Sequence, residues 1–256
     1  MTEAIQLSGV IITFNEERNI ADCIQSMQGL VDEVLVVDSF STDKTVEICQ
    51  ALGARVIQHA FEGHIQQKNY AMEQAKYDFI LSLDADERVS KEMKASIEEA
   101  KVNWQGGGYR FNRLNNYAGA WLKKSWYPDA KIRLWDRRKG KWGGTNPHDH
   151  VEIKEGTVKA VKGDIIHYAY ATLEEHFLQV TKFATISAHA KYKQGKRTSF
   201  IIHILLYPIF RFIKRYIFKL GFLDGYYGFI FSLVDSYYGI MKYLVIWELQ
   251  RKEKKG

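Results

Sequence analysis

Short apolar runs alternate with segments of helical period through the first hundred residues, and that alternation leaves few architectures open. "LSGVIITF" (7–14), "DEVLVVDS" (32–39), "ARVIQHA" (54–60) and "DFILSLDAD" (78–86) read as strands. Between them, "ERNIADCIQSMQGL" (17–30) spaces Ile20, Cys23, Ile24 and Met27 as one helix face. "STDKTVEICQALG" (41–53) opens on capping residues and stops at Gly53, and "HIQQKNYAMEQAK" (64–76) gives a third helix. The strands are nearly continuous apolar runs, as strands covered on both faces must be. The expected fold class is therefore α/β, a mostly parallel sheet with helices on both faces. No GxGxxG follows the first strand and no GxxxxGK[ST] occurs, so dinucleotide and P-loop readings lose their main support.

In such sheets ligands bind beyond the carboxyl ends of the strands. Those ends carry Thr13, Asn15 and Glu16, then Asp38, then Asp84 and Asp86. Asp84 and Asp86 repel each other unless a cation lies between them, and hard divalent cations take carboxylate oxygens. The alternative is that they cap a helix starting near Ser90.

From Gly106 to about Ile166 the chain becomes rich in Trp, Arg, Lys and Gly, as expected of a smaller mixed-sheet half. Residues 173–195 form an amphipathic pattern ending at Gly195. The net charge of +6 is unevenly placed: from Ala190 onward 13 Lys/Arg face 4 Asp/Glu, so the rest of the chain is net acidic. Basic residues among aromatic ones suggest anionic lipid headgroups before nucleic acid. Charged residues interrupt every apolar stretch between 199 and 249, which argues for an in-plane anchor over a membrane span. A buried helical hairpin is the alternative. The expected division is 1–195, with halves 1–105 and 106–170, followed by a membrane-associating region, 196–256. Cys23 and Cys49 read as buried thiols in a reducing cytosol, and the N-terminus lacks the pattern of a signal peptide.

In this order, "VIITFNEERNI", "VLVVDSFSTDKT", "QKNYA" and "LSLDADERV" resemble glycosyltransferase family 2. The resemblance is strongest in residues 8–90 and continues in "YPDAKIRLWDRR", "NPHDHV", "IIHYAY" and "LGFLDGYYG". It looks closest to the bacterial lipopolysaccharide-core beta-1,4-glucosyltransferase branch. That likeness implies a GT-A fold, a UDP-sugar donor, a lipid-linked saccharide acceptor and inversion at the anomeric carbon. It implies Mg²⁺ or Mn²⁺ on Asp86, with Asp84 and His167 beside it, and nucleotide-sugar contacts from Thr13, Asn15, Glu16, Asp38, Lys68, Asn69 and Asp84. Its catalytic base maps to Asp149, where the family usually has Glu, with Glu152 as the substitute. Trp126, Tyr127, Arg133 and His148 are its candidate acceptor contacts. The implied location is the cytoplasmic face of the bacterial inner membrane, as a peripheral protein with no nucleic-acid partner. Two other readings stay open: a polyprenyl-phosphate glycosyltransferase, whose ionised acceptor needs no base, and a non-catalytic scaffold on a degenerate transferase fold.

Overall fold

The computed structural model describes residues 4–146 and 148–253. Its first half follows the alternation in the sequence: β1 (Leu7–Thr13), α1 (Ile20–Met27), β2 (Glu33–Asp38), α2 (Thr45–Ala51), β3 (Arg55–Gln58), α3 (His64–Gln74) and β4 (Phe79–Asp84). Then come β5 (Glu87–Val89), α4 (Lys91–Val102), β6 (Gly108–Tyr117), β7 (Ala120–Leu122), β8 (Ala130–Asp136), β9 (Gly140–Thr145), β10 (His148–Ile153) and β11 (Val158–Tyr170). Helix α5 (Leu173–Lys193), helix α6 (Tyr207–Ile213) between wider π turns, and the long α7 (Gly225–Glu253) complete the chain.

The main sheet has the order β3-β2-β1-β4-β8-β6-β11-β5, with β7 on β6, and β9 and β10 form a separate ribbon. Parallel pairing covers β3, β2, β1 and β4. The sheet turns antiparallel at β8, so its parallel character is confined to one half. Register aligns the functional edge: Thr13 lies opposite Asp38, and Ile12 opposite Asp84. Leu7, Ile11, Leu81 and the α1 face of Ile20, Ile24 and Met27 are fully buried on one side of the sheet. Val10, Leu35, Ile80, Ala71 and Trp135 fill the other. Each buried aliphatic side chain contributes about 1.5–3 kcal/mol, so the strand edge stands on a rigid base.

Two compact units result: residues 1–114 with 129–167, and residues 115–128 with 168–256. The second unit thus begins well before residue 196, and it takes in a loop from the middle of the chain. Inside it, Asp224 accepts hydrogen bonds from the backbone of Lys123, Lys124 and Ser125 at 2.7–3.0 Å. Tyr117, Leu122 and Phe231 form its core, with Trp126 and Tyr170 packed against them.

The helical stretch Gly221–Glu253, which ends in α7, is long and apolar enough to cross a membrane by length and composition alone, and it is partly buried within the protein. The charged residues that interrupt this stretch are accommodated inside the unit. Asp235 is paired with Arg211 and Arg215, and Lys242 is buried over the rings of Tyr207, Tyr238 and Tyr243.

Candidate active site

Lys68 sits on the buried face of α3 with Ala71 and Met72, three and four residues on, where an apolar residue would be expected. The residue is 5% exposed, and its buried ammonium needs partners. It finds two: Asp84 Oδ1 at the end of β4 and Asp149 Oδ2 on β10, each at 2.8 Å. The Trp142 ring lies 4.3 Å from the same ammonium and closes one side. The structure therefore joins the strand-end acid and the candidate base through one cation.

Asp84 is held from its other side as well. Arg133 Nη2 donates to Asp84 Oδ2 at 2.7 Å and to Glu87 Oε1 at 2.7 Å. Arg113 bonds Glu87 at 3.1 Å and Asp129 at 2.7 Å. Partial burial would raise the Asp84 carboxyl, but the charges of Lys68 and Arg133 outweigh it and hold it well below the usual range. Burial likewise opposes ionisation of Asp149, and Lys68 again wins, through charge and hydrogen bond, leaving that carboxyl lowered.

Asp86 faces another way. Its Oδ2 lies 3.2 Å from His167 Nε2, on a side chain 28% exposed. Glu16 is pushed up, chiefly by burial, partly countered by the Asn19 hydrogen bond, and further by the charges of Asp86, Asp43 and Asp84. With Lys131 also paired to Asp129 at 3.1 Å, the four cations Lys68, Arg113, Lys131 and Arg133 stand against the six acids Asp84, Asp86, Glu87, Asp129, Asp149 and Glu16. That excess suits a divalent ion. Asp86 and His167 fit one as a two-residue anchor, the rest of the shell coming from phosphate oxygens and water. Asp84 does not fit as a metal ligand, because each of its oxygens already meets a cation. Among the described residues no group of three or more metal-ligating side chains is assembled.

The remaining candidates divide. Asn15 turns the first loop in the left-handed region (φ 54°), which Asn tolerates better than most residues. Its Oδ1 accepts from the Thr42 backbone at 2.8 Å, and its own N–H donates to Ser41. Asp38 is fully buried and accepts from the Ser41 backbone at 2.9 Å and from the Ser41 hydroxyl, so it organises the β2–α2 turn. Thr13 Oγ1 is buried without a partner.

Several expectations need correction. Asn69 clamps α3 to β9, exchanging two 3.0 Å bonds with the Trp142 backbone, so its amide serves packing. Arg133 is 3% exposed and acts as a buried counter-ion, which removes it from an acceptor surface. Glu152 cannot replace Asp149: strand alternation sends Asp149 and buried Val151 to one face of β10 and Glu152 to the other, where it lies 3.5 Å from His150. Trp126 and Tyr127 belong to the second unit, where Trp126 stacks on Phe231 at 4.7 Å. The side chain of His148 lies outside the described residues. Sequence reasoning missed Arg113 and Trp142 and left Glu87 without a role; a glutamate three residues after Asp84 in a strand pattern was the available signal for Glu87.

An α/β domain with acids at the ends of β2 and β4, the second of them paired with Lys68 from α3, is the arrangement expected of a glycosyltransferase. The chain belongs to glycosyl transferase family 2, whose family model matches residues 8–146. An uncharacterized glycosyltransferase of Rickettsia typhi is 30% identical, covering 97% of this chain and 89% of its own. The lipopolysaccharide core biosynthesis glycosyltransferase LpsC of Rhizobium meliloti is 27% identical, over 97% and 94%. Among solved structures, Mycobacterium tuberculosis glucosyl-3-phosphoglycerate synthase in complex with Mn²⁺, UDP and glucosyl-3-phosphoglycerate is 24% identical over 44% of each chain, TM-score 0.36. S. aureus TarS is 16% identical over 72% of this chain and 40% of its own, TM-score 0.47.

Proposed function

We propose that this glycosyltransferase moves a hexose, glucose from UDP-glucose in the leading reading, onto a lipid-linked saccharide such as the lipopolysaccharide core, with inversion. The observation that carries the reading is the Lys68 bridge, which sets Asp149 beside the strand end where a donor diphosphate would lie. Asp149 takes the proton from the acceptor hydroxyl as that oxygen attacks the anomeric carbon. Its lowered pKa keeps it ionised and ready at neutral pH. Lys68 orients it and offers positive charge toward the leaving diphosphate. Thr13, Asn15, Glu16 and Asp38 shape the nucleoside end of the cleft. Asp86 and His167 would hold Mg²⁺ or Mn²⁺, which as a Lewis acid stabilises the charge that develops on the departing nucleotide. The protein works as a peripheral enzyme on the cytoplasmic side of the membrane, where its acceptor is anchored.

Asp149→Asn tests the base. Donor affinity is expected to stay within about twofold while transfer falls by roughly two decades or more. Full transfer in that variant would overturn the base assignment and turn the reading toward an already ionised phosphate acceptor.

A further inference from the structure

The segment from Ile201 to Phe218 is built inside out. Exposed residues come in pairs that begin at Ile201, Leu205, Ile209, Ile213 and Ile217, a strict four-residue repeat. Every residue of those pairs is aliphatic or Phe except Lys214. Ile201 is 63% exposed, Ile209 58% and Phe218 74%. The inward pairs begin at His203, Tyr207, Arg211 and Arg215, and the two arginines point into the unit. Arg211 meets Asp235 at 2.5 Å and Arg215 meets it at 3.0 Å. Water would favour the reverse arrangement, with arginines out and isoleucines in.

The backbone keeps this stripe straight. Four residues carry an α-helix about 40° past one full turn, so a four-residue repeat would wind around it. Here π turns at Phe200–Leu206 and Lys214–Phe218 flank α6. Their wider winding offsets the drift and holds the exposed pairs on one side.

We infer that residues 201–218 are a hydrocarbon-inserting element that seats the enzyme in an anionic bilayer. The inference rests on the membrane-surface reading above and gives it a specific face. Apolar side chains outward with charges paired inward is the pattern a helix adopts against acyl chains. The surrounding charge commits the occupant to lipid: exposed Lys193 and Lys196 precede the stripe, and exposed Lys214 and Lys219 lie along its end. These bases sit at headgroup level while the aliphatic pairs enter the layer beneath.

The test is flotation of the full chain with vesicles of equal parts phosphatidylcholine and phosphatidylglycerol, at low and at high salt. Wild type is expected to float under both conditions, and Leu205→Glu/Phe210→Glu to lose about tenfold or more of the bound fraction. Both side chains are exposed, so the variant should keep the wild-type melting temperature and its UDP-sugar affinity. Those two readouts separate failure of the insertion from failure of the transferase reading. Complete release of wild type by salt, or unchanged flotation of the variant, would overturn insertion. So would a wild-type dimer that the variant turns into a monomer, since the stripe would then cover a second copy.

Discussion

At the scale of single residues the site is governed by one buried ammonium shared between two carboxylates. Lys68→Met keeps most of the side-chain volume and removes the charge, leaving Asp84 with Arg133 and Asp149 without its nearest cation. Losing one partner of such a buried pair costs about 3–5 kcal/mol, so a clear drop in melting temperature is expected. The same change should raise the pKa of Asp149, because the charge that lowers it is gone. With Asp149 in its proposed role as the base, which must be ionised to act, the acidic limb of the rate profile is expected to move to higher pH in Lys68→Met. A pH–rate profile that does not move would remove Lys68 from any role in tuning the base. Asp84 and Asp86 were legible because acids end an apolar strand at a place where α/β sheets bind ligands. Their different partners were not, since these depend on which cations α3 and β8 bring to the Asp84 oxygens. Arg133 shows the same limit: one basic residue in a Trp-rich stretch looks like an acceptor contact until its two carboxylate partners are seen.

At the scale of elements the order of the parallel half was legible, because β1, β2 and β4 are apolar runs and the helices between them repeat a buried face. The ribbon of β9 and β10 was harder to foresee. Its glycines and charges carry little periodicity, yet its alternation decides that Asp149, and not Glu152, reaches Lys68. The second unit carries its own signature in His176, which is buried on α5 with Nδ1 2.8 Å from the Tyr117 hydroxyl. Burial lowers its pKa to about 4, against a small opposing effect of Asp235. Between pH 6.5 and 4 the unfolded chain therefore binds a proton that the folded unit does not. Stability should fall as the pH drops through that window, by about 3 kcal/mol when the window is crossed. Denaturant melts at pH 7 and pH 4 would measure this, and His176→Phe should flatten the difference. An equal loss in the variant would assign the effect to other groups.

At the scale of the whole molecule, sequence composition placed a boundary near Gly195, whereas the compact second unit starts at Asn115 and takes its loop 115–128 together with the C-terminal helices. Composition marks where charge and aromatic density change; it does not mark which segments pack together. A chain ending at Gly195 would lose Asp224, whose carboxylate holds the backbone of residues 123–125, and Phe231, on which Trp126 stacks. Truncation there is expected to give an insoluble or partly unfolded protein, with the loss visible in near-ultraviolet circular dichroism. A soluble, fully folded truncation would mean that the tail is an independent appendage. In the proposed reading Asp86 and His167 would hold the divalent ion that ties the sugar nucleotide to the acidic strand end. Calorimetric titration of UDP-glucose into wild type and Asp86→Ala, with Mn²⁺ and with chelator, tests it most directly. Binding that requires Mn²⁺ in wild type and vanishes in Asp86→Ala, with the melting temperature unchanged, is the expected result. Equal affinity in chelator, or in the variant, would contradict it.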